Sequence, residues 1–164
     1  MDFTIRRAEP DEYARIDALT SGAYIGDGLV PSDSPYIEQL RSAAIRAREA
    51  EVLVAVDPDG TLLGAVTHVG KGGPWSEIAR PDEAEFRMLA VAGETRGRGV
   101  GEALVRACLA RAREAGHRGV ALSTQPAMAA AHRLYERLGF RRDPSRDWSP
   151  EPEVPLLVYA LAFA

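Results

Sequence analysis

Three alternating glycines flanked by two arginines form the part of the sequence best suited to chemistry. Gly97, Gly99 and Gly101 lie in the segment RGRGVGEA, after a predicted strand and at the start of a predicted helix. Without side chains, backbone N–H groups can approach a ligand closely there. The helix N-terminus adds unpaired N–H donors and the positive end of its dipole, and Arg96 and Arg98 add full charges. The segment therefore predicts a pyrophosphate site.

Two common phosphate-binding motifs do not fit this segment. A P-loop needs Lys followed by Ser or Thr after its last glycine, whereas Glu102 and Ala103 follow Gly101. A dinucleotide fingerprint needs a glycine at position 102 and an acidic residue at the end of the next strand. Glu102 occupies that position, and the next predicted strand ends in Thr124 and Gln125. A different phosphate-bearing cofactor is therefore expected.

The elements around this segment predict a mixed α/β sheet with helices on both faces. Strands are indicated by alternating or continuous apolar residues, and helices by apolar residues three and four positions apart. The predicted order is β-α-α-β-β-β-α-β-α-β-β. The predicted helices cover roughly 10–22, 35–50, 99–115 and 127–138, and the strands cover roughly 2–7, 51–56, 61–69, 84–91, 120–123, a short segment from 140, and 154–163.

Length and composition indicate a single domain over residues 1–164. The chain is 46% hydrophobic and 27% charged, as globular proteins are. Its net charge of −4, with both signs interspersed, argues against nucleic acid as a partner. The single Cys108 has apolar neighbours at helical spacing and is predicted to be core. The first ten residues lack the apolar stretch of a signal peptide, so we expect a cytoplasmic protein without a membrane partner.

Two separated segments resemble the GNAT superfamily of N-acetyltransferases. Residues 96–101, RGRGVG, are similar to the family's coenzyme A pyrophosphate loop. Residues 131–140, AHRLYERLGF, resemble its second signature, A-x-x-L-Y-x-x-x-G-F, and residues 85–91 look like its central strand. The specific match covers 84–140, whereas 1–83 match only in the order of elements. The resemblance implies a GNAT-like fold, with a mostly antiparallel central sheet in which two parallel strands splay.

The resemblance also implies how the donor, acetyl-CoA, is held. Pantetheine would pair with the free edge of the central strand, and the pyrophosphate would lie against the glycine loop. Many members have Asn where this chain has Met128, whose thioether cannot replace the hydrogen bonds of an amide. The residues expected to contact the cofactor are Leu89, Ala90, Val91, Arg96, Gly97, Arg98, Gly99, Val100, Gly101, Met128, Ala131 and Tyr135.

Two residues are candidates for the chemistry of acetyl transfer. Tyr135 stands where the family has its general-acid tyrosine, and a phenol with an ordinary pKa of about 10 can protonate a leaving thiolate. Its alternative role is core packing, because it lies on an apolar helical stripe. Glu85 matches the glutamate that histone-type members use as a base, and it could deprotonate the amine directly or through water, unless water itself is the base. Its alternative role is an ion pair with Arg87 on the same strand face.

The acceptor is expected to be a primary amine of a small molecule or a peptide. In the family, acceptor sites form from two loops, which correspond here to residues 21–35 and 143–153. His68 is a further candidate to face this site. No spacing of His, Cys or carboxylates suits a metal, so none is expected. The loop residues that suit a cationic amine, unless they simply face water, are Tyr24, Asp27, Asp143, Asp147, Trp148, Glu151 and Glu153.

Two functions remain open at this point. The first is an acetyl-CoA-dependent N-acetyltransferase, and the second is a coenzyme A-binding module without turnover that serves sensing or regulation. Tyr135 and Glu85 favour the enzyme, whereas Met128 favours the module. The resemblance leaves a homodimer and a longer acyl group open.

Overall fold

One seven-stranded sheet organises the chain, and the predicted mixed α/β fold is confirmed. The computed structural model describes residues 2–70 and 72–164, so Met1 of the N-terminal segment and Lys71 of the glycine-rich loop before the central strand lie outside the described residues. The strands are β1 (Thr4–Arg7), β2 (Glu51–Val56), β3 (Leu62–Val69), β4 (Glu83–Val91), β5 (Gly119–Thr124), β6 (Arg141–Arg142) and β7 (Leu157–Ala162). Their order in the sheet is β1-β2-β3-β4-β5-β7-β6. The β4–β5 pair is parallel and the other pairs are antiparallel.

Helices cover both faces of this sheet. They are α1 (Tyr13–Gly26), α2 (Ile37–Leu40), α3 (Ala43–Glu49), α4 (Val100–Glu114) and α5 (Ala129–Arg137). The main core lies between the sheet and the pair α4 and α5, and it includes Cys108 as predicted. A second cluster joins α1 and α3 to β2 and β3 on the opposite face. None of the helices in the described ranges has the length and apolarity that a bilayer crossing requires.

The predicted helix over 35–50 is wrong, because the chain forms two short helices there. Between α2 and α3, the backbone of Arg41 and Ser42 leaves the helical region. The Ser42 hydroxyl donates to the carbonyl of Gln39, and the Asp17 carboxylate of α1 accepts the backbone N–H of Ala43 at 2.9 Å. Side chains that bond the backbone in this way compete with a continuous helix. Helix α1 also extends to residue 26, beyond its predicted end at 22.

A close backbone approach explains the glycine at the start of β5. Gly119 lies opposite Ala162 of β7, and a Cβ atom at this position would overlap the carbonyl oxygen of Leu161. That obstacle is backbone, so it cannot rotate away as a flexible side chain would. Glycine at 119 therefore sets how closely β7 supports β5, the strand whose far end borders the candidate site.

We predict opposite effects on stability for two glycine-to-alanine substitutions. Gly119→Ala should lower the free energy of unfolding by about 2–3 kcal/mol, because strand β7 must shift. Gly22→Ala should raise it by roughly 0.5–1 kcal/mol, since position 22 is helical and its Cβ would meet no atom within 4 Å. Urea denaturation followed by circular dichroism measures both. Equal stabilities for the two variants would contradict the close approach.

Candidate active site

The central parallel pair of strands separates partway along its length. The β4–β5 ladder ends at the pair Phe86 and Leu122, although β4 continues to Val91. A cleft of about 560 Å³ opens beyond this point, between the end of α1, the start of α4 and the start of α5. The predicted cofactor residues that line it are Leu89, Ala90, Val91, Arg96, Gly97, Gly101, Met128 and Ala131. The splayed geometry expected from the resemblance is therefore present.

A bulge in β4 lies directly at the separation. Arg87 faces Thr67 of β3 and Ala90 faces Ala65, so two residues of β4 oppose one residue of β3. Met88 has a φ of +58°, a conformation that non-glycine residues seldom adopt. Its side chain packs with residues of the loop after α1 and the loop before β7. After the bulge, residues 89–91 of β4 line the cleft, whereas the Met88 side chain packs against the expected acceptor loops.

The glycine loop has the backbone that the sequence predicts for close ligand approach. Gly97 and Gly99 have φ values of +90° and +81°, and helix α4 begins at Val100 directly after them. The Val100 side chain is buried in the main core, so only its backbone can face a ligand. Arg96 lines the cleft and pairs with Asp27 at 2.7 Å.

Arg98 does not supply the charge that the sequence suggests. Its guanidinium pairs with Asp2 at 2.9 Å and with Asp57 at 3.1 Å, and it does not line the cleft. These hydrogen bonds raise the pKa of Arg98 and lower that of Asp2. The cause is tertiary, since the two carboxylates lie 96 and 41 positions away in the chain. Of the two arginines, Arg96 alone borders the cleft.

Tyr135 combines core packing with access to the site. Its ring lies 5.9 Å from those of Phe86 and Phe140 and 6.0 Å from that of Tyr159, and the residue is 2% exposed. It also lines a small cavity of about 10 Å³ that adjoins the cleft, together with Leu89. Burial raises the pKa of Tyr135, so the phenol keeps its proton at neutral pH. The packing alternative and the acid role are compatible in this geometry.

Glu85 anchors a loop. Its Oε1 accepts backbone N–H groups from Glu77, Ile78 and Ala79 at 2.9, 3.1 and 3.2 Å. The side chain is fully buried, its Oε2 has no partner among the described residues, and it lines none of the cavities around the cleft. Burial raises the pKa of Glu85. The geometry does not support direct proton abstraction by this carboxylate, and no ion pair with Arg87 forms; that guanidinium instead lies 3.6 Å from the carboxylate of Glu77.

The histidines near the motifs have structural partners. His132 is half-buried, with its Nε2 at 2.9 Å from the carbonyl of Gln125 and its ring 5.4 Å from that of Tyr159. His68 does not face the acceptor loops. It is buried near Glu51 and Arg111, where desolvation lowers its pKa to about 4. Within residues 2–70 and 72–164, no cluster of His, Cys, Asp or Glu is arranged to hold a metal ion.

Most carboxylates of the predicted acceptor loops are already bonded within the protein. Asp147 pairs with Arg142 at 2.8 Å, and Asp143 lies 3.7 and 3.9 Å from two other arginines. Glu153 accepts a hydrogen bond from the Ser34 hydroxyl at 2.7 Å. Asp27 pairs with Arg96, and the Trp148 indole donates to Ser123. The sequence suggested only an ion pair for Arg87, whereas the fold places it in a cavity that Tyr135 also lines.

The burial of Glu85 predicts a pH-dependent contribution to stability. Because its pKa is raised in the folded state, the unfolded chain releases this proton more readily, and folding loses stability as the pH rises above the ordinary value of 4.5. Glu85→Gln removes this titration. Relative to wild type, the variant should therefore gain unfolding free energy between pH 4 and pH 8, by about 1.4 kcal/mol for each unit of raised pKa within that window.

Urea unfolding at several pH values measures this difference. Glu114→Gln, which removes an exposed carboxylate from the end of α4, serves as the control and should follow the wild-type curve. Parallel pH dependences for wild type and Glu85→Gln would contradict the buried, proton-retaining carboxyl.

Comparison with known proteins identifies the family. The mycothiol acetyltransferase of Acidothermus cellulolyticus is 32% identical over 136 residues, which cover 83% of this chain but 38% of that protein. The chain thus spans well under half the length of this curated relative. A GNAT family acetyltransferase from Staphylococcus aureus superposes with a TM-score of 0.78 at 12% identity, over 99% of both chains.

A GNAT family acetyltransferase from Brucella melitensis, solved in complex with acetyl-CoA, has a TM-score of 0.64 at 27% identity, over 99% of this chain and 88% of that chain. Residues 15–140 match the family model described as the acetyltransferase (GNAT) family. That match covers more than half of the chain and contains the splayed strands, the glycine loop and Tyr135. The chain therefore belongs to the GNAT acetyltransferase family.

Proposed function

We propose that this chain transfers an acetyl group from acetyl-CoA to a primary amine by direct attack within a ternary complex. The observation that carries the proposal is the position of Tyr135, which lines a small cavity that shares Tyr24, Leu89 and Met128 with the cleft. Family membership and the acetyl-CoA complex of the Brucella melitensis relative support the donor. The names of the curated relatives support acetyl transfer, but their greater length leaves the acceptor to be argued from this chain.

The cleft supports a specific arrangement for the donor. The backbone N–H groups of the glycine loop and of the first turn of α4 would bind the pyrophosphate, with Arg96 exchanging Asp27 for a phosphate oxygen. Pantetheine would run along residues 89–91, whose backbone lacks a strand partner on the β5 side. An amide N–H of this edge would stabilise the thioester oxygen as it gains charge. Met128 and Ala131 would pack against the pantetheine arm.

The proposed reaction needs a neutral amine as the nucleophile and an acid that protonates the leaving sulfur. The amine nitrogen attacks the thioester carbonyl carbon, the carbon–sulfur bond breaks, and the coenzyme A thiolate takes the phenolic proton of Tyr135. The nitrogen releases its extra proton to water, which later reprotonates the tyrosine. Glu85 serves this reaction indirectly, by fixing the loop at residues 77–79 beside Arg87.

Replacing the tyrosine hydroxyl tests the enzymatic proposal. Tyr135→Phe should lower kcat by about 10²-fold, because the thiolate then leaves without a positioned acid. The affinity for acetyl-CoA should change much less, since the ring still packs in the aromatic cluster. Thiol release over a panel of primary amines measures the rate. Tyr13→Phe, in a separate cluster at the start of α1, is the control and should retain wild-type turnover.

A coenzyme A-binding module without turnover gives a different pattern. It would bind acetyl-CoA tightly, release no thiol with any amine, and be indifferent to Tyr135→Phe. That combination would refute the enzymatic proposal while leaving the donor site intact.

Adding a charge to the glycine loop tests the donor site. Gly99→Asp should raise the Kd for coenzyme A by about 10²-fold or more, because a carboxylate would then face the pyrophosphate. Gly60→Asp is the matched control, since Gly60 also has a positive φ, of +86°, and neither glycine has an atom within 4 Å of an added Cβ. Calorimetric titration with coenzyme A measures both. Wild-type affinity in a folded Gly99→Asp variant would refute the loop assignment.

A further inference from the structure

Two buried guanidinium groups lie on the face of the sheet that carries α1 to α3. Arg46 is 1% exposed and donates to Ser42, Thr67 and Leu40, all neutral partners. Desolvation lowers its pKa to about 10. Buried cations are normally paired with carboxylates, because taking an unpaired charge out of water is costly. Among the described residues, Arg46 forms no ion pair, and the negative charge that acts on it is that of the more distant Asp17.

Arg87 is the second buried cation, and it is 6% exposed. It donates to the carbonyl of Trp75 at 3.3 Å and to the amide oxygen of Gln39 at 3.4 Å, both long hydrogen bonds. Its carboxylate neighbour is Glu77 at 3.6 Å, whose side chain is 37% exposed. Glu85, two residues earlier on β4, directs Oε1 to loop amides instead. The guanidinium also lies over the Trp75 ring at 5.5 Å. Glu77 and Trp75 therefore compensate part of the charge, and two long hydrogen bonds leave the guanidinium able to bind a further acceptor.

Arg87 shares a small cavity with an unpartnered amide. Gln125 is 5% exposed, its Nε2 has no hydrogen-bond partner in the described part of the chain, and both residues line a cavity of about 20 Å³. That volume holds about one water-sized group, such as a single carboxylate oxygen. The cavity therefore offers a guanidinium and an amide N–H₂, which are both hydrogen-bond donors, so it favours a ligand group that accepts hydrogen bonds and carries negative charge.

The cavity that Arg87 and Gln125 line adjoins the proposed reaction centre. Tyr24 and Met128 line it, and they also line the cofactor cleft and the small cavity that contains Tyr135. We assign a group bound at Arg87 to the acceptor, because this cavity is distinct from the cleft proposed for acetyl-CoA but shares Tyr24 and Met128 with it. We propose that the acceptor amine carries a carboxylate a few bonds from its nitrogen, and that Arg87 and Gln125 bind this carboxylate. The inference rests on the proposed acetyl transfer and names its substrate class.

Matched amines test this substrate class. The probes are L-α-amino acids, β-alanine and 4-aminobutyrate, each compared with its own carboxamide at saturating acetyl-CoA. Wild type should acetylate the best carboxylate with a kcat/KM at least about 10-fold above that of its carboxamide, because charge-assisted hydrogen bonds exceed neutral ones. If carboxamides or simple amines are equally good substrates, acetyl transfer stands and the carboxylate inference fails. If no amine reacts, both fail.

Two substitutions test the residues. Arg87→Met and Gln125→Glu should each raise KM for the best carboxylate by roughly 10- to 100-fold and change kcat less. They should affect the carboxamide far less, which separates recognition from structural damage. Gln125→Glu keeps the shape of the side chain, so it decides the question if Arg87→Met fails to fold. Arg118→Met is the control, since Arg118 is exposed and precedes β5 at the opposite end from Gln125. Retention of the carboxylate preference in folded Gln125→Glu would overturn the assignment.

Discussion

The end of hydrogen bonding between β4 and β5 is the constraint on which the rest of the structure depends. Beyond Phe86 and Leu122, the two strands form no hydrogen bonds with each other. Strand β4 therefore has unpaired backbone donors and acceptors along one edge. Such an edge is tolerated only where water or a ligand reaches it. The cleft, the glycine loop and the start of α5 all surround this unpaired edge. A ligand in the cleft can therefore form hydrogen bonds with the backbone of β4.

The bulge at Met88 makes the two sides of this edge chemically different. Toward α4 and α5 the strand presents a cleft lined by small and apolar residues with an arginine at its rim, which suits a long thioester cofactor. Toward α1 to α3 it presents Arg87 and Met88 beneath the loops. Tyr135 packs in the main core on the side of α4 and α5, and it also lines the small cavity that Arg87 and Met88 border. In the proposed complex, donor and acceptor would meet near this phenol, with Tyr24 and Met128 bordering both sides.

The sequence predicted what is locally encoded and missed what depends on distant residues. The order of elements and the glycine loop follow from periodicity, turn residues and positive-φ glycines, which are local properties. The break between α2 and α3 depends on Asp17, 26 positions before the amide it binds. Arg98 points away from the cleft because it pairs with carboxylates of two other segments. The burial of Glu85 also depends on another segment. Strand alternation predicts the face of the sheet on which Glu85 lies, but it does not predict that a loop covers that face.

The charge of the acceptor site illustrates why this distinction matters. By residue type, the loops at 21–35 and 143–153 are acidic and suggest a cationic acceptor, yet ion pairs and hydrogen bonds occupy most of their carboxylates. A charge near the surface is also weakened by water and salt, whereas a buried one acts through a medium of lower dielectric constant. Arg46 and Arg87 are buried cations on the face of the sheet that carries α1 to α3, whereas the buried carboxyl of Glu85 is bonded to the loop at 77–79. Of these two cations, Arg87 lines the cavities beside Tyr135, so the acceptor that we propose has a charge opposite in sign to the one that a count of loop residues implies.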